Sequence, residues 1–306
     1  MMGTVPIFFQ EMNPLRYIFL WNNNRILRDI LAPYVRQQLN DPDTAGVPKT
    51  VNSLAIKAYL AETVKSKEAD EVFLDNALAH LKIFLLAGHD TTATALCWLY
   101  YCLHRNPKSI AKVRAELDRV FGTNVHLAAD QIKEEPALLN RLPYISASIK
   151  ETLRLYPPAS SVRAGSPDFF LVHPETNQKY PTDGFMLLSS SHAVHRNEQY
   201  WSQPDDFIPE RWISENGEPV NPVANKSAYR PFELGPRNCI GQELAQTELR
   251  LILALTVREF DILPQYSKGD AKVFGEPLYQ ANLPGEITAH VSGGMPVKVQ
   301  LRPAFA

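Results

Sequence analysis

One cysteine has the neighbours best suited to chemistry in this chain of 306 residues. Cys239 lies in the stretch FELGPRNCIG, residues 232–241, between Gly235 and Gly241. Glycine allows left-handed backbone and the close approach of a flat ligand. The apolar run that follows predicts a helix from Gly241, and the N-terminus of a helix favours a thiolate over a thiol. The pattern therefore indicates a thiolate that attacks a substrate or binds a metal.

The residues near Cys239 in sequence favour some roles of its thiol over others. A nucleophile needs a histidine base and an orienting acid, and neither lies nearby in sequence, although a distant partner stays open. A zinc site needs further cysteine or histidine at short spacing, which the stretch lacks. A single thiolate fits haem iron, because the porphyrin supplies the equatorial donors. The structural alternative is a small buried apolar side chain, the usual state of a lone cysteine.

Two further sets of polar residues lie within predicted helices. The stretch AGHDTT, residues 87–92, lies in the middle of a long apolar helix, where polar side chains are costly to bury. Its threonine hydroxyls could simply bond back to carbonyls one turn earlier. The stretch ETLR brings Glu151 and Arg154 to one helix face, where an exposed ion pair would stabilise the helix by only ~0.2–0.5 kcal/mol.

These motifs together resemble those of the cytochrome P-450 family. The stretch around the cysteine is similar to the haem-thiolate loop, F-x-x-G-x-R-x-C-x-G, and Ala245 and Glu248 follow it at the family's spacing. AGHDTT is similar to the family's central-helix motif, ETLR to its E-x-x-R, and PERW, residues 209–212, to its P-E-R motif. The residues that match the loop are Phe232, Gly235, Arg237, Cys239 and Gly241.

The resemblance implies a haem b cofactor with Cys239 as the axial ligand of its iron. Gly88 would let the central helix open beside the haem, Thr91 would hydrogen-bond to the bound oxygen species, and Asp90 would relay protons. Asp90 and Thr91 would be the catalytic residues. The cofactor-binding residues implied by the resemblance are Cys239, Arg237, Arg163, Phe232, Gly235 and Gly241.

The haem propionates and the cysteine loop both need support from other residues. A propionate is a carboxylate that needs a cationic partner, and Arg237 is the best candidate, with Arg163 where the family often has a second. Without a haem, exposed arginines are the ordinary interpretation of both. In the family, the E-x-x-R pair is buried and joined by the arginine of P-E-R, here Arg211. Three buried charges are tolerable only as a closed network, which would hold the loop.

The activity implied by the resemblance is haem-thiolate monooxygenation, with one oxygen atom from O2 inserted into a small apolar substrate. Electrons would come from NADPH through NADPH–cytochrome P-450 reductase. The stretches NPLRYIFLWNN and AGHDTTATAL are most like filamentous-fungal members that serve secondary metabolism. The alternative is a truncated haem-binding remnant without turnover. A haem-thiolate isomerase or dehydratase is a third possibility, which the acid–threonine pair argues against.

The expected fold is mainly α with a small β portion, a cytochrome P-450 fold truncated at its N-terminus. The domain prediction is a single partial domain over residues 1–306. Sixteen of the prolines fall after residue 156 and eight before it, so helices should dominate the first part of the chain. The predicted segments are leading helices at 1–66, a central helix at 70–104, an E-x-x-R helix at 143–156, and the loop with its following helix at 232–259.

Several finer features follow from local patterns. The first helix is expected to be one or two segments broken near residues 22–24, and IFLLAG, residues 83–88, should be buried because it is apolar all round. Strands are predicted at FFLVH, QKY and FMLLSSSHAV, with a hairpin turn at PTDG separating the last two. His192 and His195 would lie on opposite faces of that strand and be structural rather than metal-binding.

Composition and the chain's beginning bear on compartment and partners. A net charge of −2 gives no basic surplus for nucleic acid. Three cysteines, two of them in one helix, indicate a reducing compartment without a disulfide framework. Family members are typically longer at the N-terminus. The expectation is a cytosol-facing protein with no anchor in this chain, an endoplasmic reticulum membrane location for a full-length form, and low solubility and weak haem retention for residues 1–306.

Overall fold

The described chain is mainly helical, as the sequence predicts. The computed structural model describes residues 14–40, 51–62, 67–223, 225–266, 288–289, 291 and 294–302. Two compact units meet between Ala87 and Gly88, inside the longest helix. The helices are α1 Pro14–Asn40, α2 Val51–Glu62, α3 Lys67–Arg105, α4 Pro107–Phe121, α5 Ala128–Glu134, α6 Pro143–Leu155, α7 Ser191–Val194 and α8 Gln242–Thr256.

The first unit contains α1, α2 and the beginning of α3. Its small core combines aliphatic side chains from all three helices with the stacked rings of Tyr59 and Phe73, whose centroids lie 4.2 Å apart. Glu71 on α3 forms ion pairs with Arg28 and Arg36 on α1, at 3.1 and 2.8 Å. The buried core residues are Ala32, Val35, Leu39, Ile56, Leu74 and Leu78.

Two expectations about these helices are wrong. Helix α1 continues through residues 22–24 without a break. The Asn22 side chain accepts a hydrogen bond from Arg25, so its amide is satisfied on the helix surface. The segment IFLLAG is not buried within the described chain, since Ile83 is 61% and Leu86 63% exposed. An all-round apolar segment needs neighbours on every side, and the described residues do not supply them. None of the described helices is long and apolar enough to cross a membrane.

The second unit has one large core, built from the end of α3, from α4 to α6 and from α8. Trp98 on α3 stacks on Tyr156, with 4.0 Å between the ring centroids. The hydroxyls of Tyr100 and Thr256 are hydrogen-bonded, which joins α3 directly to α8. The part of α3 in the second unit, which carries Asp90 and Thr91, therefore packs into the same core as α8, the helix that follows Cys239.

Helix α6, which carries the E-x-x-R motif, is fixed at its start by a carboxylate. Pro143 occupies its first turn, where a missing N–H is harmless. The two carboxylate oxygens of Glu116 on α4 accept hydrogen bonds from the backbone amides of Tyr144 and Ile145, each at 2.9 Å. Burial raises the pKa of Glu116, while these bonds oppose the rise. The helix N-terminus therefore has charged, buried partners for its free amides.

The strands form three antiparallel pairs within the described chain. β1 Ser161–Ala164 pairs with β4 Met186–Ser189, β2 Phe170–Val172 with β3 Lys179–Pro181, and β5 Phe260–Pro264 with β6 Val297–Leu301. The predicted turn after β3 exists, but it does not join a hairpin of β3 and β4, because β4 pairs with β1 instead. The predicted last strand is also too long: HAVH forms α7 and its C-cap rather than strand.

Candidate active site

The cysteine loop, residues 230–241, presents its thiol outward from a closed backbone turn. The amide of Cys239 donates to the carbonyl of Phe232 at 2.8 Å, and the amide of Asn238 donates to that of Gly235 at 3.1 Å. Gly235 has φ of +80°, a left-handed conformation that strains other residues. The Phe232 side chain is half-buried against the main core. The loop is thus closed by backbone bonds and anchored at its base, while the Cys239 side chain is exposed.

Gly241 has a different role from Gly235. It caps α8 with φ of −86°, so left-handed backbone is not the reason for a glycine here. An added Cβ would meet only the sulfur of Cys239, at 3.8 Å. The carbonyl of Cys239 accepts a bond of 3.4 Å from the amide of Gln242, the first residue of α8. The cysteine is therefore next to the helix start, and a side chain at position 241 would come into ordinary contact with its sulfur.

Two exposed apolar side chains follow the cysteine closely in sequence. Ile240 is 88% exposed and Leu244 on α8 is 69% exposed, both within five residues of Cys239. Apolar side chains at this exposure gain free energy when a flat apolar group covers them. The described residues contain no group of three or more His, Cys, Asp or Glu side chains able to hold a bare metal ion. A single exposed thiol followed by two exposed apolar side chains therefore fits haem better than a metal centre built from protein ligands alone.

The central-helix motif lies on α3 in the second unit. Asp90 and Thr91 are half-buried, and Thr92 is buried. The Thr92 hydroxyl has no hydrogen-bond partner among the described residues, so back-bonding to a carbonyl is wrong for Thr92. Apart from its chain neighbours and its own helix backbone, no described residue has an atom within 4 Å of a Cβ built on Gly88. A buried hydroxyl without a partner, four residues after an uncrowded glycine, fits a cofactor bound beside this stretch of helix.

The structure brings Glu151, Arg154 and Arg211 together as one buried group, here called the carboxylate network. Arg154 donates to both oxygens of Glu151, through Nε at 3.0 Å and Nη2 at 2.8 Å, and neither side chain is exposed. Arg211 Nε donates to Oε1 of the same carboxylate at 3.0 Å. The alternative of an exposed helix-surface pair is therefore wrong, because the pair is fully buried.

Two donors that the sequence motifs do not include complete the carboxylate network. The indole of Trp212 donates to Glu151 Oε2 at 2.8 Å, and the amide of Ile208 donates to Oε1 at 3.0 Å. Trp212 directly follows the arginine of PERW, and this adjacency was the only sequence signal for it. A buried carboxylate surrounded by charged and neutral donors is satisfied on both oxygens, which is what such burial requires.

The arginines of the carboxylate network also bind the chain that follows α7. Arg154 Nη1 donates to the carbonyls of His195 and Pro204 at 2.8 and 2.6 Å, and its Nη2 donates to that of Asp206 at 2.9 Å. Arg211 Nη1 donates to the carbonyl of Ser202 at 3.0 Å. These contacts fold a segment without regular secondary structure onto α6, so the network organises backbone rather than a reacting group.

The two arginines predicted to bind propionates are both exposed. Arg163 lies on β1, where its Nη1 donates to the carbonyl of Val162 at 2.8 Å. Arg237 lies in the cysteine loop two residues before Cys239. Both guanidinium groups are open to a ligand from solvent, and their assignment to propionates stays a prediction.

The comparisons with known proteins agree with these features. The cytochrome P-450 family model matches residues 8–288, and the chain belongs to this family. For whole proteins of this family, membership implies a haem and electron supply from a redox partner. The cytochrome P-450 monooxygenase polC of Polytolypa hystricis is 36% identical over 94% of this chain and 54% of its own length. The cytochrome P-450 monooxygenase acrF of Aspergillus aculeatus is 33% identical over 94% of this chain and 63% of its own length.

A crystal structure of a cytochrome P-450 has the same fold, with a TM-score of 0.69 at 22% identity. The match covers 96% of this chain and 59% of that one, and at this identity it shows the fold alone. The chain thus spans little more than half to under two thirds of the length of the relatives described here.

Proposed function

We propose that this chain carries the haem-binding and oxygen-activating residues of a haem-thiolate monooxygenase, with Cys239 as the thiolate ligand of the iron. The observation that carries the proposal is an exposed thiol on a closed, core-anchored loop in a chain of this family. When bound, the haem supplies the iron at which O2 is activated. The relatives polC and acrF are named as monooxygenases, which supports the same reaction class.

The roles of the chain's own residues follow from their positions. Cys239 would hold the haem iron through one thiolate, and Gly235 supplies the left-handed backbone that shapes the loop around it. Thr91 and Asp90 are half-buried neighbours on α3, and we assign them to holding and moving protons at the hydroxyl and carboxyl oxygens. Arg237 and Arg163 are assigned to the propionates, since guanidinium groups bind carboxylates strongly.

Several finer assignments are supported by the resemblance and not by a measured contact. We propose NADPH as the electron source, a flavoprotein reductase as the redox partner and the cytosolic face of the endoplasmic reticulum as the site of action. The substrate is proposed to be a small apolar compound of secondary metabolism.

The test is an isotope experiment on haem-loaded protein supplied with NADPH, a reductase and a panel of small apolar secondary metabolites. Under labelled dioxygen, the protein should form products that contain one labelled oxygen atom, and the Cys239→Ser variant should form none. A rearranged or dehydrated product that needs no NADPH would instead support an isomerase or dehydratase. Labelled product at an equal rate in the variant would remove Cys239 from the mechanism.

A further inference from the structure

A histidine outside every motif connects α6 to the cysteine loop. His195, the C-cap of α7, is fully buried. Its Nδ1 lies 3.1 Å from the carbonyl oxygen of Arg154, and its Nε2 lies 2.9 Å from the backbone nitrogen of Arg230. Arg154 belongs to the carboxylate network and Arg230 is the first residue of the cysteine loop. One imidazole ring therefore joins the two.

The partners of the ring determine where its proton is. A backbone N–H can only donate, so the Nε2 of His195 must accept the bond from Arg230 and carry no proton. A neutral imidazole then has its proton on Nδ1, which donates to the carbonyl of Arg154. Burial, followed by the charges of Arg154 and Arg230, lowers the pKa of His195 to about 3, which agrees with a neutral ring. Both nitrogens are thus used, one as donor and one as acceptor.

His195 and Arg154 are joined by two hydrogen bonds, in each of which the side chain of one residue donates to the backbone carbonyl of the other. Arg154 Nη1 donates to the carbonyl of His195 at 2.8 Å, while the His195 ring donates to the carbonyl of Arg154. The Arg154 guanidinium is itself fixed by two bonds to Glu151. His195 is therefore held at both its backbone and its ring by a residue that the carboxylate network immobilises.

The contact with Arg230 acts where the chain enters the cysteine loop. Two residues later, the carbonyl of Phe232 accepts the amide of Cys239 at 2.8 Å. The Arg230 side chain bonds to Ser189 on β4 and pairs with Glu233 at 3.2 Å, so its direction depends on the backbone that His195 holds. A short, directly bonded path thus leads from the His195 ring to the backbone of the cysteine.

We propose that His195 is a positioning residue for the axial thiolate, and that its Nε2 fixes the entry of the cysteine loop against α6. This inference rests on the proposed function. According to this inference, the carboxylate network acts on Cys239 through His195, a residue outside the family motifs. A histidine that only filled the core would need the volume of its ring. It would not need its Nε2 to accept a hydrogen bond from the amide of Arg230.

Two substitutions separate these roles, because each retains one side of the ring. In His195→Gln the longer amide can place an oxygen near the former Nε2 and accept from Arg230. In His195→Asn the shorter amide can reach only toward the former Nδ1 and donate to the carbonyl of Arg154. Tyr229→Phe is the matched control. It removes a different bond to α6, the 3.2 Å bond from the Tyr229 hydroxyl to the carbonyl of Lys150.

The first readout does not require haem. Hydrogen exchange of the Cys239 amide is measured in haem-free protein, where loss of one supporting bond should speed exchange by about five- to tenfold. We expect this acceleration in His195→Asn, and little change in His195→Gln or Tyr229→Phe. The second readout is the fraction of haem-loaded protein whose reduced carbon-monoxide complex shows the red-shifted Soret band of thiolate ligation, which should fall only in His195→Asn.

Equal exchange rates in the Gln and Asn variants would overturn the proposal, as would an equal acceleration in Tyr229→Phe. If the wild-type protein lacks the red-shifted band altogether, the proposed function fails. The exchange experiment still decides the role of His195 in that case, so the two failures are distinguishable.

Discussion

Removing the carboxylate of Glu151 is the change with the largest consequence that the structure predicts. Five donor atoms converge on its two oxygens: Nε and Nη2 of Arg154, Nε of Arg211, the indole of Trp212 and the amide of Ile208. In Glu151→Ala all five lose their acceptor at once. Arg154 would then keep its charge in a position that is fully buried.

The magnitude follows from the burial of the stranded groups. Removing one partner of a buried ion pair costs about 3–5 kcal/mol, because an uncompensated charge is left inside. The unpaired indole and amide raise this further, by about 1–3 kcal/mol each if neither finds water. Since whole domains are stable by only about 5–15 kcal/mol, Glu151→Ala should lose a large share of the free energy of unfolding.

The assay is urea unfolding followed by tryptophan fluorescence, with Asp130→Ala as the control. Asp130 and Lys133 also form an i,i+3 pair, at 3.8 Å, but their side chains are 73% and 81% exposed. The control should therefore lose about 0.5 kcal/mol or less. The double variant Glu151→Ala/Arg154→Ala should lose less than the sum of its single changes. A Glu151→Ala protein as stable as Asp130→Ala would refute the reasoning.

Two further outcomes can be measured on the same protein. Thr91→Ala should still bind substrate but release reducing equivalents as hydrogen peroxide, because a proton donor is lost; an unchanged ratio of product to NADPH consumed would contradict this. The pKa of His195, lowered to about 3, makes unfolding easier in acid. Its contribution to stability is intact above pH 6.5 and is lost as pH falls toward 3, by about 1.4 kcal/mol at pH 5.5. His195→Gln should show a shallower loss between pH 7.5 and 5.5, and an equal loss in both proteins would argue against a buried neutral ring.

Helices that begin and end with strong local signals were predictable from the sequence. Pro107 and Gly122 bracket α4, and Gly122 has the left-handed φ of +74° that ends a helix. The three members of the carboxylate network were also named from their motifs. Their burial was not evident from the helix alone, because an i,i+3 pair has the same spacing on an exposed face.

Features that depend on distant partners could not be predicted. The pairing of β4 with β1 rather than β3 is a long-range choice that leaves no local pattern. HAVH reads as strand, yet it forms the turn of helix that aims His195 at Arg154 and Arg230. The function of His195 depends on two backbone groups, and backbone groups have no sequence signature.

The central claim is that Cys239 supplies the axial thiolate. The most direct measurement is the spectrum of the reduced carbon-monoxide complex of haem-loaded wild-type protein, compared with that of Cys239→His. The control variant is Cys97→Ala, which changes a half-buried cysteine on α3 and leaves the cysteine loop intact. The account predicts the red-shifted Soret band of thiolate ligation in the wild type and in Cys97→Ala, and its loss in Cys239→His. A Cys239→His protein with that band unchanged would contradict the account.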